Sequence, residues 1–98
     1  MNAEFHPEAE EEFIEASLFY DLQLLGLGEG FISELERVTK LLVEKPMIAA
    51  QIDETFRRLP LNRFPYSLIY SIEPERIWIV AVAHQRRRPG YWRSRIER

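Results

Sequence analysis

Cysteine is absent from the 98 residues, so no disulfide frames the fold and no thiolate is on hand as nucleophile or metal ligand. That absence fits a reducing cytoplasm, where the chain is expected to reside. No apolar run approaches the roughly 18 residues needed to span a bilayer. The opening from Met1 to Glu12 is acidic and polar, unlike a secretory leader. No membrane is therefore expected. Glycine is scarce. Gly26, Gly28 and Gly30 crowd one stretch, but it lacks the lysine and hydroxyl of a phosphate-binding loop and follows no strand, so it reads as a turn between helices. His6 and His84 have no ligand-like spacing, so neither a metal nor another cofactor is expected. No serine stands in a recognisable nucleophile setting.

Lysine is missing from the second half, where every cation is arginine. The overall charge of −3 conceals a division. Met1 to Glu54 carries thirteen acidic residues against three basic ones, a balance of −10. Thr55 to Arg98 carries three acidic residues against ten arginines, a balance of +7. Two readings follow. Either the arginine half meets an anionic partner, or the halves neutralise each other within the fold. The planar guanidinium fork suits carboxylate and phosphate alike.

What is present is a single domain's worth of chain with 46% hydrophobic residues, enough for a core of its own. Asn2 to Phe5 fits an edge strand. Pro7 opens a helix, with Glu8, Glu10, Glu11 and Glu12 crowding the first turn where the helix dipole favours anions. Glu8 and Glu12 share a face, and a solvated first turn accounts for them better than a catalytic pair. Ala9, Phe13, Ala16, Tyr20 and Leu24 make the apolar stripe. A second helix repeats the spacing at Phe31, Leu35, Val38 and Leu42, widened by Leu41, until Pro46 stops it. The short link from Leu25 to Glu29 implies a helical hairpin. Thr55 to Leu59 is a strand candidate. Tyr66, Leu68, Tyr70 and Ile72 alternate with Ser67, Ile69 and Ser71, a strand with one strongly apolar face. Glu73 to Arg76 reads as a hairpin turn, and Ile77 to Ala83 as a central strand covered on both sides. The basic tail from Gln85 to Arg98 is expected to form a short helix or an ordered arm. The order βααβββ is that of an α+β domain: a helical hairpin packed on a mostly antiparallel four-stranded sheet.

The densest chemistry lies at the C-terminal end: His84, Arg86, Arg87, Arg88, Tyr91, Trp92, Arg93 and Arg95. Arginines interleaved with flat rings are what a nucleic-acid surface uses, since cations meet phosphates and rings stack on bases. Arg57, Arg58 and Arg63 are placed to join them on one sheet face. The competing readings are that Tyr91 and Trp92 close the core and that the arginines bind an acidic protein. His84 is the one imidazole placed for general acid–base work, and a structural role competes with that.

Three stretches carry a resemblance. Phe5-His6-Pro7-Glu8-Ala9-Glu10-Glu11-Glu12, then Arg57-Arg58 with Arg63-Phe64-Pro65-Tyr66 and Tyr70, then Ala81-Val82-Ala83-His84 with Arg87, Pro89 and Tyr91-Trp92 resemble toxins of the RelE/ParE family, also called plasmid stabilisation proteins. The likeness spans essentially the whole chain. It implies the fold just derived and a cytoplasmic, growth-inhibiting toxin of a type II toxin–antitoxin system, neutralised by a cognate antitoxin. The apolar residues Phe31, Leu35, Tyr66 and Tyr70 are the expected antitoxin-binding set, in the groove between hairpin and sheet. The resemblance leaves two targets open. One is DNA gyrase, poisoned without catalysis in the ParE manner. The other is ribosome-bound mRNA, cut in the RelE manner by Arg57, Arg58 and Arg87 with Tyr91 or His84 handling a proton. In either case Arg63, Arg86, Arg88 and Trp92 are the expected target-binding residues. Ser67 stands where the ribonucleases often have arginine, which tilts the expectation toward gyrase. A module that sequesters a foreign antitoxin is a third reading.

Overall fold

A computed structural model describes residues 1–96; Glu97 and Arg98, the end of the expected basic arm, lie outside them. β1 (Asn2–Phe5) leads into α1 (Pro7–Gln23) and α2 (Leu27–Glu44). Then come β2 (Ala50–Gln51), β3 (Phe56–Pro60), β4 (Tyr66–Ile72), β5 (Arg76–His84) and a 3₁₀ turn at Tyr91–Arg95. The strands form one sheet in the order β1-β5-β4-β3-β2. All neighbours are antiparallel except β1, which runs parallel to β5. The α+β hairpin-on-sheet architecture is the expected one. The sheet has five strands rather than four, because the two-residue β2 adds an edge to β3.

Local chemistry sets the helix ends. Pro7 occupies the first turn of α1, where its missing N–H costs nothing, and the His6 Nδ1 caps it by accepting the Glu8 N–H at 3.0 Å. Gly26 takes φ +89° in the turn, a backbone conformation open to glycine at little cost. Gly28 is packed so closely that a Cβ would fall on the Ser17 carbonyl oxygen and the Asp21 carboxylate. The Asp21 Oδ1 accepts the Gly28 N–H at 2.9 Å, which fixes α1 against α2.

The hairpin covers one face of the sheet. Ala9, Ala16, Phe31, Leu35, Val38 and Leu42 pack on Leu68, Tyr70, Ile77, Ile79 and Val82, with Phe13 and Tyr20 partly buried beside them. Burying each large side chain of this kind contributes about 1.5–3 kcal/mol. Leu24 departs from the expected stripe: it caps α1 in extended backbone and points outward. On the opposite face a smaller cluster joins Phe56, Ile69, Val80, Ala81 and Trp92. The expectation that β5 is covered on both sides holds, since the C-terminal segment folds back over this second face. Between Ile69 and Tyr70 the β4–β5 register slips, with Ile69 opposite Ala81 and Tyr70 opposite Ile79. Val80 is the extra residue of that bulge.

Candidate functional site

β1 accompanies β5 only from Arg76 to Ile79. Beyond that point the β1 side of β5 would be a bare strand edge. Two side chains close it. The Glu12 Oε1 accepts the Val82 N–H at 3.0 Å, and the Arg95 Nη1 donates to the Val80 carbonyl at 2.8 Å. Glu12 and Arg95 are themselves paired, and the Tyr91 hydroxyl donates to the Glu12 Oε2 at 2.6 Å. Glu12 is therefore a part-buried structural anion, not the solvated first-turn charge that its neighbours suggested. The sequence carries no local signal of this, because its partners lie at the other end of the chain.

The same knot settles the state of Tyr91. Burial, then its hydrogen bond to Glu12 and that carboxylate's charge, push the phenol well above its ordinary pKa. It stays protonated, so it is unavailable as a base in this arrangement. His84 is likewise engaged: its Nδ1 accepts the Arg86 N–H at 3.0 Å, and its ring meets Tyr66 edge-on at 5.0 Å.

The arginines do not share one face. Adjacent strand residues point to opposite sides, and Arg57 and Arg58 divide accordingly. Arg57 lies on the hairpin side, where its Nη1 donates to the Ala49 carbonyl at 2.7 Å. Arg58 lies on the other face with Ser67, Ile69 and Ala83, at a cavity of about 490 Å³. Arg87 and Arg88 reach the same cavity from the segment after β5. The Arg87 guanidinium stacks 3.8 Å from the Tyr91 ring centroid. Arg86 and Arg88 are exposed and make no side-chain hydrogen bond or ion pair among the described residues. Arg63 sits apart, over the Phe64 ring and beside Gly30 of α2. Arg93, which stacks on Trp92, also lines the cavity and pairs with Asp53 at 2.8 Å.

Two groups of expected surface residues lie inside the protein. Trp92 is buried in the second cluster, edge-on to Phe56 at 4.7 Å, so it closes the core instead of facing a target. Phe31, Leu35 and Tyr70 are also interior, and Tyr66 is half-buried against Phe31 and Tyr20. The groove expected between hairpin and sheet is filled by the protein's own core. The Tyr70 hydroxyl is satisfied internally by the Pro46 carbonyl at 2.6 Å. Ser67 is buried and its hydroxyl finds no hydrogen-bond partner among the described residues. No group of three His, Asp or Glu side chains among the described residues stands close enough to hold a metal ion. No described helix is long and apolar enough to cross a membrane.

Comparison with known proteins agrees with this architecture. No curated protein matches the chain by sequence. A chain of the chromosomal ParDE TA system from P. aeruginosa shares the fold, with a TM-score of 0.63 and 13% sequence identity over 86% of this chain and 95% of that one. Residues 3–89 match the model of the ParE toxin of the type II toxin–antitoxin system parDE. The chain belongs to the ParE toxin family of type II toxin–antitoxin systems.

Proposed function

We infer that this type II toxin acts on DNA gyrase, without cutting RNA, and is held silent by a cognate antitoxin. The observation that carries the reading is the absence of Arg57 from the cavity and the tie of Tyr91 into the fold. Arg57 is committed to a backbone carbonyl on the hairpin side, and Tyr91 is locked to Glu12 as a neutral phenol. The Arg86 N–H orients the His84 ring through Nδ1, and Ser67 offers no charge. Arg58, Arg87, His84 and Tyr91 line one cavity, from which Arg57 is absent. In-line RNA cleavage needs a base and preorganised cations around one phosphate, and losing one such contact costs about 100-fold to 1000-fold in rate. The strongly acidic first half also disfavours entry into a ribosome. The exposed Arg86, Arg87 and Arg88 then serve as the target-facing surface.

The ribonuclease reading keeps one observation in its favour, the placement of Arg58, His84, Arg87, Arg88 and Tyr91 around a common cavity. One experiment decides between the two. The purified chain is added to plasmid supercoiling by gyrase and, separately, to a translating extract whose mRNA is read by primer extension. The expected result is loss of supercoiling with intact mRNA. Cleavage at ribosomal A-site codons with unaffected supercoiling overturns the gyrase assignment.

A further inference from the structure

Four arginines line the cavity on the outer sheet face, and three of them carry charge that the fold does not use. Ser67 and Ile69 of β4 with Ala83 of β5 form its floor, and the segment from Gln85 to Arg93 forms its wall. Arg93 is neutralised by Asp53 at 2.8 Å. Arg58, Arg87 and Arg88 have no carboxylate partner among the described residues. No aspartate or glutamate is among the described residues that line the space. Like charges held around one space repel, and an anion placed between them relieves the repulsion. Two neutral donors belong to the same cavity. The Ser67 hydroxyl at the floor is buried and finds no partner among the described residues. The Arg86 N–H takes the His84 Nδ1, which leaves Nε2 as the donor end of the neutral ring.

Size and lining select the ligand. A volume of about 490 Å³ is that of a small-molecule pocket. Ile52, Ile69, Ala83 and Trp92 give it an apolar side, on which a flat ring can rest. The guanidinium forks match phosphate oxygens two at a time. Arg87 is already set in place by its stacking 3.8 Å from the Tyr91 ring centroid, so it loses little freedom on binding. Three free cations exceed what one phosphoryl group needs and suit two in tandem. With no carboxylate in the lining to share a magnesium ion, the phosphates meet arginine directly. We propose that this cavity is a binding site for a nucleoside diphosphate, its phosphates on Arg58, Arg87 and Arg88 and its base on the apolar side. Binding itself is independent of the choice between gyrase and mRNA. One consequence rests on the gyrase reading: a ligand that engages Arg87 and Arg88 competes with the target for them.

The test titrates the purified chain with ADP, GDP, CDP and UDP in turn by calorimetry, without divalent ions. Pyrophosphate and the matching nucleoside serve as the two halves of the ligand, and a single strand of about five nucleotides serves as a polymer control. At least one diphosphate should bind at least about tenfold more tightly than either half. It should raise the Tm, shift the methyl signals of Ile52 and Ile69 in NMR, and weaken as salt is raised. R58M/R88M removes two cations that join no ion pair, so it should keep its circular dichroism spectrum and bind at least about tenfold more weakly. R88M alone provides a second variant should the first misfold. The inference is overturned if none of the four diphosphates binds, or if pyrophosphate binds as tightly as the best of them. It is also overturned if the strand binds more tightly than any, or if both variants bind like the parent. The titration involves no gyrase, so the failure of this site and the failure of the gyrase reading are seen separately.

Discussion

Glu12 and Arg95 meet through hydrogen bonds of 2.8 and 2.9 Å across 83 positions of sequence. Together they stand in for a missing stretch of strand beside β5. The carboxylate takes the Val82 N–H and the guanidinium takes the Val80 carbonyl. Removing one partner leaves a largely enclosed charge without its counterion, so Glu12→Ala and Arg95→Met should each cost about 2 kcal/mol, less than a fully buried pair would. The double variant should lose clearly less than the sum, with a coupling above about 1 kcal/mol in a chemical-denaturation cycle. Additive losses would show that the pair is not an energetic unit.

The acid limb of stability follows from two other carboxylates. Burial alone would raise Glu34, but hydrogen bonds from Arg37 and the Asn62 N–H, with the charges of Arg37 and Arg63, hold it below its ordinary 4.5. The N–H groups of Phe56 and Thr55, then Arg93, hold Asp53 below its ordinary 3.8. Both groups bind protons more weakly folded than unfolded. Their contribution is fully present above those ordinary values and is lost as the pH falls through the lowered folded ones. Glu34→Gln should therefore be less stable than the parent near about pH 7 and indistinguishable from it near about pH 2. Urea unfolding at a series of pH values reads this directly, and a gap that persists unchanged into acid refutes it.

The unpaired Ser67 hydroxyl is a stability liability. A buried donor without a partner costs about 1–3 kcal/mol, so Ser67→Ala should raise stability by about 1 kcal/mol. In a domain of this size that is a rise in Tm of roughly 4–8 °C. A lowered Tm would mean that the hydroxyl is bonded in solution.

Arg86, Arg87 and Arg88 are exposed, and none belongs to an ion pair among the described residues. Their joint replacement by alanine should abolish growth arrest on expression while leaving the circular dichroism spectrum unchanged. Each exposed arginine contributes under about 1 kcal/mol to stability. A triple variant as toxic as its parent removes this surface from the mechanism.

The helices and strands were legible where the pattern is local. Phe31, Leu35, Val38 and Leu42 report their shared face through spacing alone, and so do Tyr66, Leu68 and Tyr70 through alternation. β2 escaped because two residues cannot display a period. The division of Arg57 from Arg58 was legible in principle, since neighbours in a strand must part, but grouping them by charge concealed it. The burial of Trp92 and the enclosure of Glu12 were not legible, because each depends on a tail that returns from far along the chain. The expectation of an antitoxin groove at Phe31, Leu35 and Tyr70 fails because the sequence alone does not say how much core the sheet consumes. A second apolar stripe on α1, at Ile14, Leu18 and Leu22, lies exposed beside the inward one.

The parallel pairing of β1 with β5 has a consequence for how the toxin comes into being. β1 has as its partner β5, the last of the five strands in chain order, so the sheet stays open until β5 has been made. The helical hairpin, built from neighbouring residues, forms early, while closure of the sheet must wait for distant ones. A nascent chain can thus display α1 before the arginine surface exists.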